Sequence, residues 1–298
     1  MTDYRFPVSV EEALDILDAH AASSTPSGSG SARVIAGGTD LILDMRRGKR
    51  NPACLVDLTR IPGLDQIRVI GGVVEVGAAV TFAAIQEHPY LRQHVPALTA
   101  AARSVGALGI QTAATWVGNI VQAMPAADGA VVALALEAEA RVVDRDGAVW
   151  WSVEELFLGP GRSVVDSTRQ IVTHVRFPLP GHSWGTSWQR VGRRASLVLP
   201  IINCAVRIVL DGEGIEQAVI ALGPVAPRPF RARQAESVLT GQRPTDEALA
   251  EAARIAQGES DPRSSVKRAS REYRLAILPA LVRAALHEAV RRARGSER

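Results

Sequence analysis

Cysteine is almost missing from this chain of 298 residues: Cys54 and Cys204 stand far apart, each beside apolar residues. Two thiols cannot hold an iron–sulfur cluster, which takes about four thiolates, and both read as buried free thiols. The six histidines are scattered, with no HExxH or comparable ligand spacing, so no metal site is expected. Aromatic residues make up 4% of the sequence, and 34 basic residues against 31 acidic ones leave a net charge of only +3. That offers few stacking platforms and no strong positive field, so nucleic acid is not an expected partner. No run approaches a membrane span, and Met1-Thr2-Asp3-Tyr4-Arg5 has no apolar signal core; a soluble, cytoplasmic protein is expected. An acid–base or nucleophile constellation is missing too, so no residue is assigned a catalytic role.

What is present is an ordinary globular composition, 47% hydrophobic and 22% charged, on a chain long enough for two cores. The most informative stretch begins with the β-branched pair Val34-Ile35, which reads as a buried strand. Ala36-Gly37-Gly38-Thr39-Asp40 follows, and then Leu41, Ile42 and Met45 at helical spacing. Paired glycines between a strand and a helix let consecutive backbone N–H groups point inward with no Cβ in the way. The helix would add its free N–H groups and the positive end of its dipole. That suits a phosphate or pyrophosphate, although the segment matches neither the Walker pattern nor GxGxxG. Alternatively it is a plain left-handed turn before a Thr or Asp N-cap. A second glycine stretch, Thr115-Trp116-Val117-Gly118-Asn119, lies within residues 110–128.

Along the chain, Ser9 to Glu12 fits a capping box opening a helix with Ala13, Leu14 and Leu17 on one face. Residues 22–32, rich in Ser, Gly and Pro, read as a flexible loop. Leu55–Leu58 is a further expected strand, and Gly71-Gly72 separates two strands of a hairpin. Thr81 opens a short helix. The spacing of Leu98, Ala101, Ala102 and Val105 predicts a helix over 95–109, and the apolar run 130–139 predicts a buried one. Arg145-Asp146-Gly147 turns a second hairpin, and 170–177 is a strand closed by Pro178. Beyond Pro178-Leu179-Pro180-Gly181-His182, three strands (186–191, 201–210, 215–222) precede helices at 231–239, 245–256 and 270–294. Arg46-Arg47-Gly48-Lys49-Arg50 reads as a solvated helix end.

Ala36–Leu41 and residues 110–128, taken together, resemble the FAD-binding medium subunit of the molybdenum hydroxylases, the xanthine dehydrogenase and carbon monoxide dehydrogenase family. Further pieces resemble it in the same order: 55–58 with 61–64, Pro-Ala-Ala-Asp at 125–128, 190–194, Gly-Pro-Val-Ala-Pro-Arg-Pro at 223–229, and Ser-Arg-Glu-Tyr-Arg at 270–274. The resemblance covers nearly the whole chain. It implies an α+β fold, with a two-lobed, PCMH-like FAD-binding domain over 1–178 (lobes about 1–60 and 61–178). A smaller domain over 182–298 would follow, a three-stranded antiparallel sheet packed with helices. It also implies electron transfer from partner 2Fe–2S clusters through FAD on this chain to an external acceptor. The partners would be a large molybdenum-cofactor subunit and a small iron–sulfur subunit carrying two 2Fe–2S clusters, assembled as a dimer of heterotrimers.

By the same resemblance, Ala36, Gly37, Gly38, Thr39, Asp40 and Leu41 would hold the FAD diphosphate from one side. Thr115, Val117, Gly118 and Asn119 would hold it from the other, with Asp128 bonding further along the cofactor. Val105, Val172 and Leu197 fall near where the family covers its flavin, or are ordinary core. Arg190 would place positive charge near the flavin or a phosphate, or form a solvated surface. The second stretch departs from the family's Thr-Ile-Gly-Gly-Asn, since Val117 replaces the first glycine. If that position needs φ > 0, valine is strongly disfavoured; if φ is negative, its N–H stays available. Two rival readings are a stand-alone flavin oxidase or dehydrogenase, which lacks an evident base here, and a scaffold subunit that has lost FAD, supported only by Trp116-Val117.

Overall fold

The computed structural model describes residues 2–21, 30–194 and 196–295. Residues 22–29, most of the Ser/Gly-rich stretch, lie outside them. Strand β1 (Asp3–Arg5), helix α1 (Val10–Ala21), strand β2 (Ala32–Ile35), helix α2 (Leu41–Arg46) and strand β3 (Cys54–Asp57) form the first unit. Its sheet is parallel, in the order β1-β3-β2. Ser9 Oγ accepts from Glu12 N–H, and Glu12 reaches back to accept from Val8 N–H, so the expected capping exchange is present with its return arm shifted one residue. Ala13, Leu14 and Leu17 are the buried face of α1.

Next come β4 (Ile67–Ile70) and β5 (Val73–Gly77), joined through Gly71-Gly72, and then α3 (Phe82–Glu87), α4 (Pro89–His94) and α5 (Pro96–Ser104). Short helices α6 (Leu108–Gln111) and α7 (Trp116–Val121) precede α8 (Asp128–Ala135), in which every residue is buried. The hairpin β6 (Glu139–Asp144) and β7 (Gly147–Ser152), the small ribbon β8 (Phe157–Gly159) and β9 (Arg162–Ser163), and β10 (Ile171–Pro178) complete this part. Strand β10 sits at the centre of an antiparallel sheet ordered β4-β5-β10-β6-β7. The single helix expected over 95–109 is two pieces. Val105 is extended (φ −73, ψ 115) and Gly106 left-handed (φ +52), which breaks the helix after Ser104.

The last part contains β11 (Trp184–Val191), β12 (Ile202–Asp211), β13 (Gly214–Gly223), a two-residue β14 (Phe230–Arg231), and helices α9 (Arg233–Leu239), α10 (Asp246–Gly258) and α11 (Arg271–Gly295). The sheet runs β11-β12-β13-β14, so the three expected strands gain a short fourth at the edge. Strand β12 is buried along nearly its whole length because both faces are covered. Its even positions, Ile202, Cys204, Val206 and Ile208, enter the core shared with α9, α10 and α11. Its odd positions, Asn203, Ala205 and Arg207, turn toward α8. The period of two along a strand therefore assigns one face of β12 to each half of the molecule.

Just beyond α8 stands Glu137, a non-glycine residue at φ +52. Its carboxylate accepts from Arg207 and from Arg231 (2.7 Å), and also from Gln217 Nε2 (3.0 Å). Arg231 in turn pairs with Glu236 (2.7 Å). Burial alone would raise the Glu137 pKa, but the two guanidiniums outweigh it and hold the group below the usual glutamate value. A carboxyl lowered by folding stabilises above its unfolded pKa, and that contribution is lost as pH falls through the lowered value. Glu137→Gln should cost about 2–4 kcal/mol at pH 7, somewhat less than a fully buried pair because the side chain keeps some contact with water. The difference from the unsubstituted protein should shrink toward acid pH. Urea midpoints at pH 7 and pH 4 measure both effects, and a cost that does not change with pH would refute the ionic account.

Candidate functional site

The end of β2 delivers Ala36-Gly37-Gly38 to the rim of a cleft of about 730 Å³. A Cβ built on Gly37 would lie 1.9 Å from the Ala113 carbonyl oxygen and 2.9 Å from Ala114 Cα. The turn therefore presses main chain to main chain against the segment leading into α7, a contact only glycine allows. Gly38 is left-handed (φ +66), so the chain reverses there into α2. Among the described residues, the backbone N–H groups of Gly37, Gly38, Thr39, Asp40 and Leu41 have no acceptor. Asp40 occupies the N-cap position but makes no side-chain cap bond, contrary to the expectation of a capped helix. Partial desolvation by the surrounding cleft, and then neighbouring Asp44, raise its pKa, although the residue keeps contact with solvent.

Across the cleft, the second glycine stretch is the opening turn of α7 rather than a loop. Thr115 is the N-cap, and its Oγ1 accepts from Gly118 N–H (3.1 Å). Asn119 N–H donates to the Thr115 carbonyl (3.0 Å), while Asn119 Oδ1 accepts from Ala130 N–H (3.2 Å). Gly118 and Asn119 thus spend their amides on the helix. The donors left over include the Thr115 hydroxyl hydrogen and N–H, the Val117 N–H and the Asn119 Nδ2 group, none of which has an acceptor among the described residues. Val117 lies inside α7 and is not among the positive-φ residues, so valine is tolerated there with its side chain buried. Both α2 and α7 have six residues, so their dipoles are short and individual amides matter more.

Ala36, Gly37, Gly38, Thr39, Asp40, Leu41, Val105, Thr115, Val117, Gly118, Asn119, Asp128 and Val172 all line this one cleft. Arg190 does not; it stands behind Asp128, with Nε 3.6 Å from Oδ2 and a guanidinium N–H donated to the Val198 carbonyl. Leu197 is likewise outside the wall: it is left-handed (φ +53), and its N–H donates to the Gly106 carbonyl (3.1 Å), while its neighbours Val198 and Leu199 reach the cleft. Arg33, Arg50, Arg162 and Ser104 also line the cleft and were not expected. Arg50 is a correction to the solvated-end reading of 46–50. Gly48 is left-handed (φ +69) and turns the chain back, bringing Arg50 3.9 Å from Asp44. Burial, and then Arg50, bring the Arg33 guanidinium down to about 10. Strand alternation alone could have flagged Arg33; nothing local marks Ser104 or Leu199.

Asp128 is the first residue of α8 and is 6% exposed. Ser104 Oγ donates to its Oδ2 (3.1 Å) and Asn203 Nδ2 to its Oδ1 (2.5 Å). Burial raises its pKa to about 6, against the opposing pull of Arg190, Asn203 and Ser104. The result is a largely apolar cleft whose lining holds unpaired amides on two segments, three arginines and one buried carboxyl. Such a lining can bind an elongated molecule that carries phosphates, hydroxyls and a flat apolar group.

Comparison with known proteins gives two family matches. Residues 1–180 match the FAD binding domain in molybdopterin dehydrogenase, and residues 188–289 match the CO dehydrogenase flavoprotein C-terminal domain. The nicotine 6-hydroxylase medium subunit of Paenarthrobacter nicotinovorans is 30% identical over 286 residues, covering 96% of each chain. The xanthine dehydrogenase FAD-binding subunit of Escherichia coli O157:H7 is 28% identical over 89% of this chain and 90% of its own. Among solved structures, a chain of carbon monoxide dehydrogenase from Hydrogenophaga pseudoflava superposes with a TM-score of 0.88 at 26% identity, covering 98% of both.

The buried carboxyl gives a pH signature. An acid whose pKa is raised by folding is most stabilising below its unfolded value, and stability then falls as pH rises from about 4 to about 6, where Asp128 titrates. Asp128→Asn removes this dependence. Between pH 4 and pH 7 the variant should gain up to about 3 kcal/mol relative to the unsubstituted protein. Urea unfolding across that range tests it, and parallel curves would show that folding does not raise the Asp128 pKa.

Proposed function

The chain belongs to the FAD-binding family of the molybdopterin dehydrogenases, and on that premise we propose that the cleft between Gly37-Gly38 and Thr115–Asn119 is where one FAD binds. The chain is the FAD-binding medium subunit of a molybdenum hydroxylase-type dehydrogenase. FAD, when bound, supplies redox chemistry that no side chain of this protein offers.

What supports the site is one observation above the others: the approach of Gly37 to Ala113, which sets two runs of unpaired donors on facing walls of a single cleft. In this reading the N–H groups of Gly37, Gly38, Thr39, Asp40 and Leu41 bind one side of the diphosphate. The Thr115 hydroxyl and the Val117 N–H bind the other. Arg33 and Arg50 offset its negative charge from one end, while Val105, Val172, Val198 and Leu199 exclude water from the apolar part. Asp128 accepts from hydroxyls of the cofactor. Arg190 acts on Asp128, orienting it, rather than on the cofactor directly.

The related complexes have large and small subunits alongside the medium one. We take this chain to work beside a large subunit with the molybdenum cofactor and a small one with two 2Fe–2S clusters, in a cytoplasmic dimer of heterotrimers. No helix among the described residues is long and apolar enough to cross a membrane. Electrons would leave through this chain to an external acceptor. A stand-alone oxidase would need its own base in the cleft; the one buried carboxyl there, Asp128, is held by three neighbours.

The test is the visible spectrum and released flavin of the chain purified with its co-expressed subunits. One FAD per chain is expected, with iron–sulfur absorbance only when a partner is present. Gly37→Ala should weaken FAD binding at least 100-fold, because the new methyl must push the Ala113 main chain aside. Thr39→Ala should weaken it no more than about tenfold, roughly the worth of one hydrogen bond. A colourless protein, with or without partners, would overturn the assignment.

A further inference from the structure

The Ser-Arg-Glu-Tyr-Arg segment at 270–274 has no part in the cleft, yet it anchors a distinctive surface feature. Between α10 and α11 the chain forms a small tongue, closed by Ser265 N–H donating to the Ala269 carbonyl (3.0 Å) and Arg268 N–H to the Ser265 carbonyl (3.1 Å). Its base is fixed. Arg271 N–H donates to Ser264 Oγ (2.9 Å), and the Arg271 guanidinium pairs with Asp261 (2.9 Å). Arg274 is buried and donates to the Pro224 carbonyl (2.8 Å), while Asp261 N–H donates to the Val225 carbonyl (2.8 Å). On one side Arg193 donates to the Lys267 carbonyl (3.2 Å), tying the tongue to the segment that runs past the cleft.

The charge on this feature is unbalanced. Residues 261–274 hold Arg263, Lys267, Arg268, Arg271 and Arg274 against Asp261 and Glu272. Asp261 is engaged by Arg271, and among the described residues Arg263, Lys267 and Arg268 pair with no carboxylate. Burial, and then Arg263, lower the Arg268 pKa, so these cations feel one another. At the apex, Val266 is fully exposed. One exposed valine is unremarkable by itself. A hydrogen-bonded turn that exposes it among three cations without carboxylate partners is different: an apolar residue within a charged rim is how protein interfaces are built.

We propose that residues 263–268 are a docking element for an acidic face of a partner subunit in the same complex, with carboxylates seated on Arg263, Lys267 and Arg268 around a shallow apolar pocket that takes Val266. This rests on the reading of the chain as one subunit of a larger enzyme. Charge complementarity of this kind sets register and partner choice. Nucleic acid fits less well: the tongue is short, and its nearest aromatic is a single tyrosine, Tyr273.

Two measurements on the co-expressed complex decide it. With Val266→p-benzoylphenylalanine, irradiation should yield an adduct to the large or small subunit at an Asp/Glu-rich peptide. Lys267→Glu combined with Arg268→Glu should weaken subunit association at least tenfold and flatten its dependence on salt, while FAD per chain stays unchanged. Adducts only to a second copy of this chain or to nucleic acid, or no adduct, would overturn the proposal. So would unchanged association in a complex that retains its FAD, and that result would leave the flavin assignment standing. A chain with neither flavin nor partners would overturn both.

Discussion

The contact of Gly37 with the Ala113 carbonyl is the constraint on which the cleft depends. Two segments nearly eighty residues apart in sequence meet there without a side chain between them. With no room for a side chain between them, this contact sets the spacing of their unpaired N–H groups. Donors placed in advance lower the ordering cost of binding an anion there. Glycine serves here for its lack of bulk, and in Gly38 for its left-handed backbone; the two roles are adjacent but separate.

Helix α8 carries the second constraint. It is buried on all sides, and both its ends are tied to the far half of the molecule by charged groups. Asp128 at its start meets Asn203 and Arg190, and Glu137 beyond its end meets Arg207 and Arg231. The lengths agree. Eight helical residues rise about 12 Å, and the four steps from Asn203 to Arg207 along β12 span about 13 Å. A strand that buries one face against its own helices can therefore clamp a foreign helix with the other, using polar residues only at the two ends. The two carboxylates differ in consequence. Glu137 finds two cations and is held ionised, whereas Asp128 finds one cation at a longer distance and is pushed toward its neutral form.

Much of this was legible in the sequence because local signals and tertiary demands agree. The hairpin at Gly71-Gly72, the caps at Ser9 and Thr81, and the apolar run of β12 are short-range patterns that packing reinforces. The lining of the cleft was legible mainly as a resemblance, since Gly-Gly-Thr-Asp alone also describes an ordinary turn. Three things were not legible. The break after Ser104 was missed because Val105 continues the helical spacing and only the left-handed Gly106 stops it. That the Gly118 amide is engaged within the second stretch was not legible either, because it depends on Thr115 capping its own helix. Arg190, Arg50 and Leu199 depend on where distant chain returns, and no local period encodes that. Several landmark residues turn out to hold the frame rather than the ligand. Asp57 caps the turn after β3 and accepts from the Tyr4 hydroxyl (2.7 Å), and Arg274 braces the Pro224 carbonyl.

In sequence order the lining of the cleft runs from Arg33 to Leu199. On a ribosome, the first lobe therefore emerges with its binding groups in place but one wall missing. The buried carboxyl of α8 stays without Asn203 until β12 has been made. If the cofactor binds in this cleft as proposed, its capture waits for docking of the final sheet, and a chain stopped before Val198 would lack part of the cleft wall.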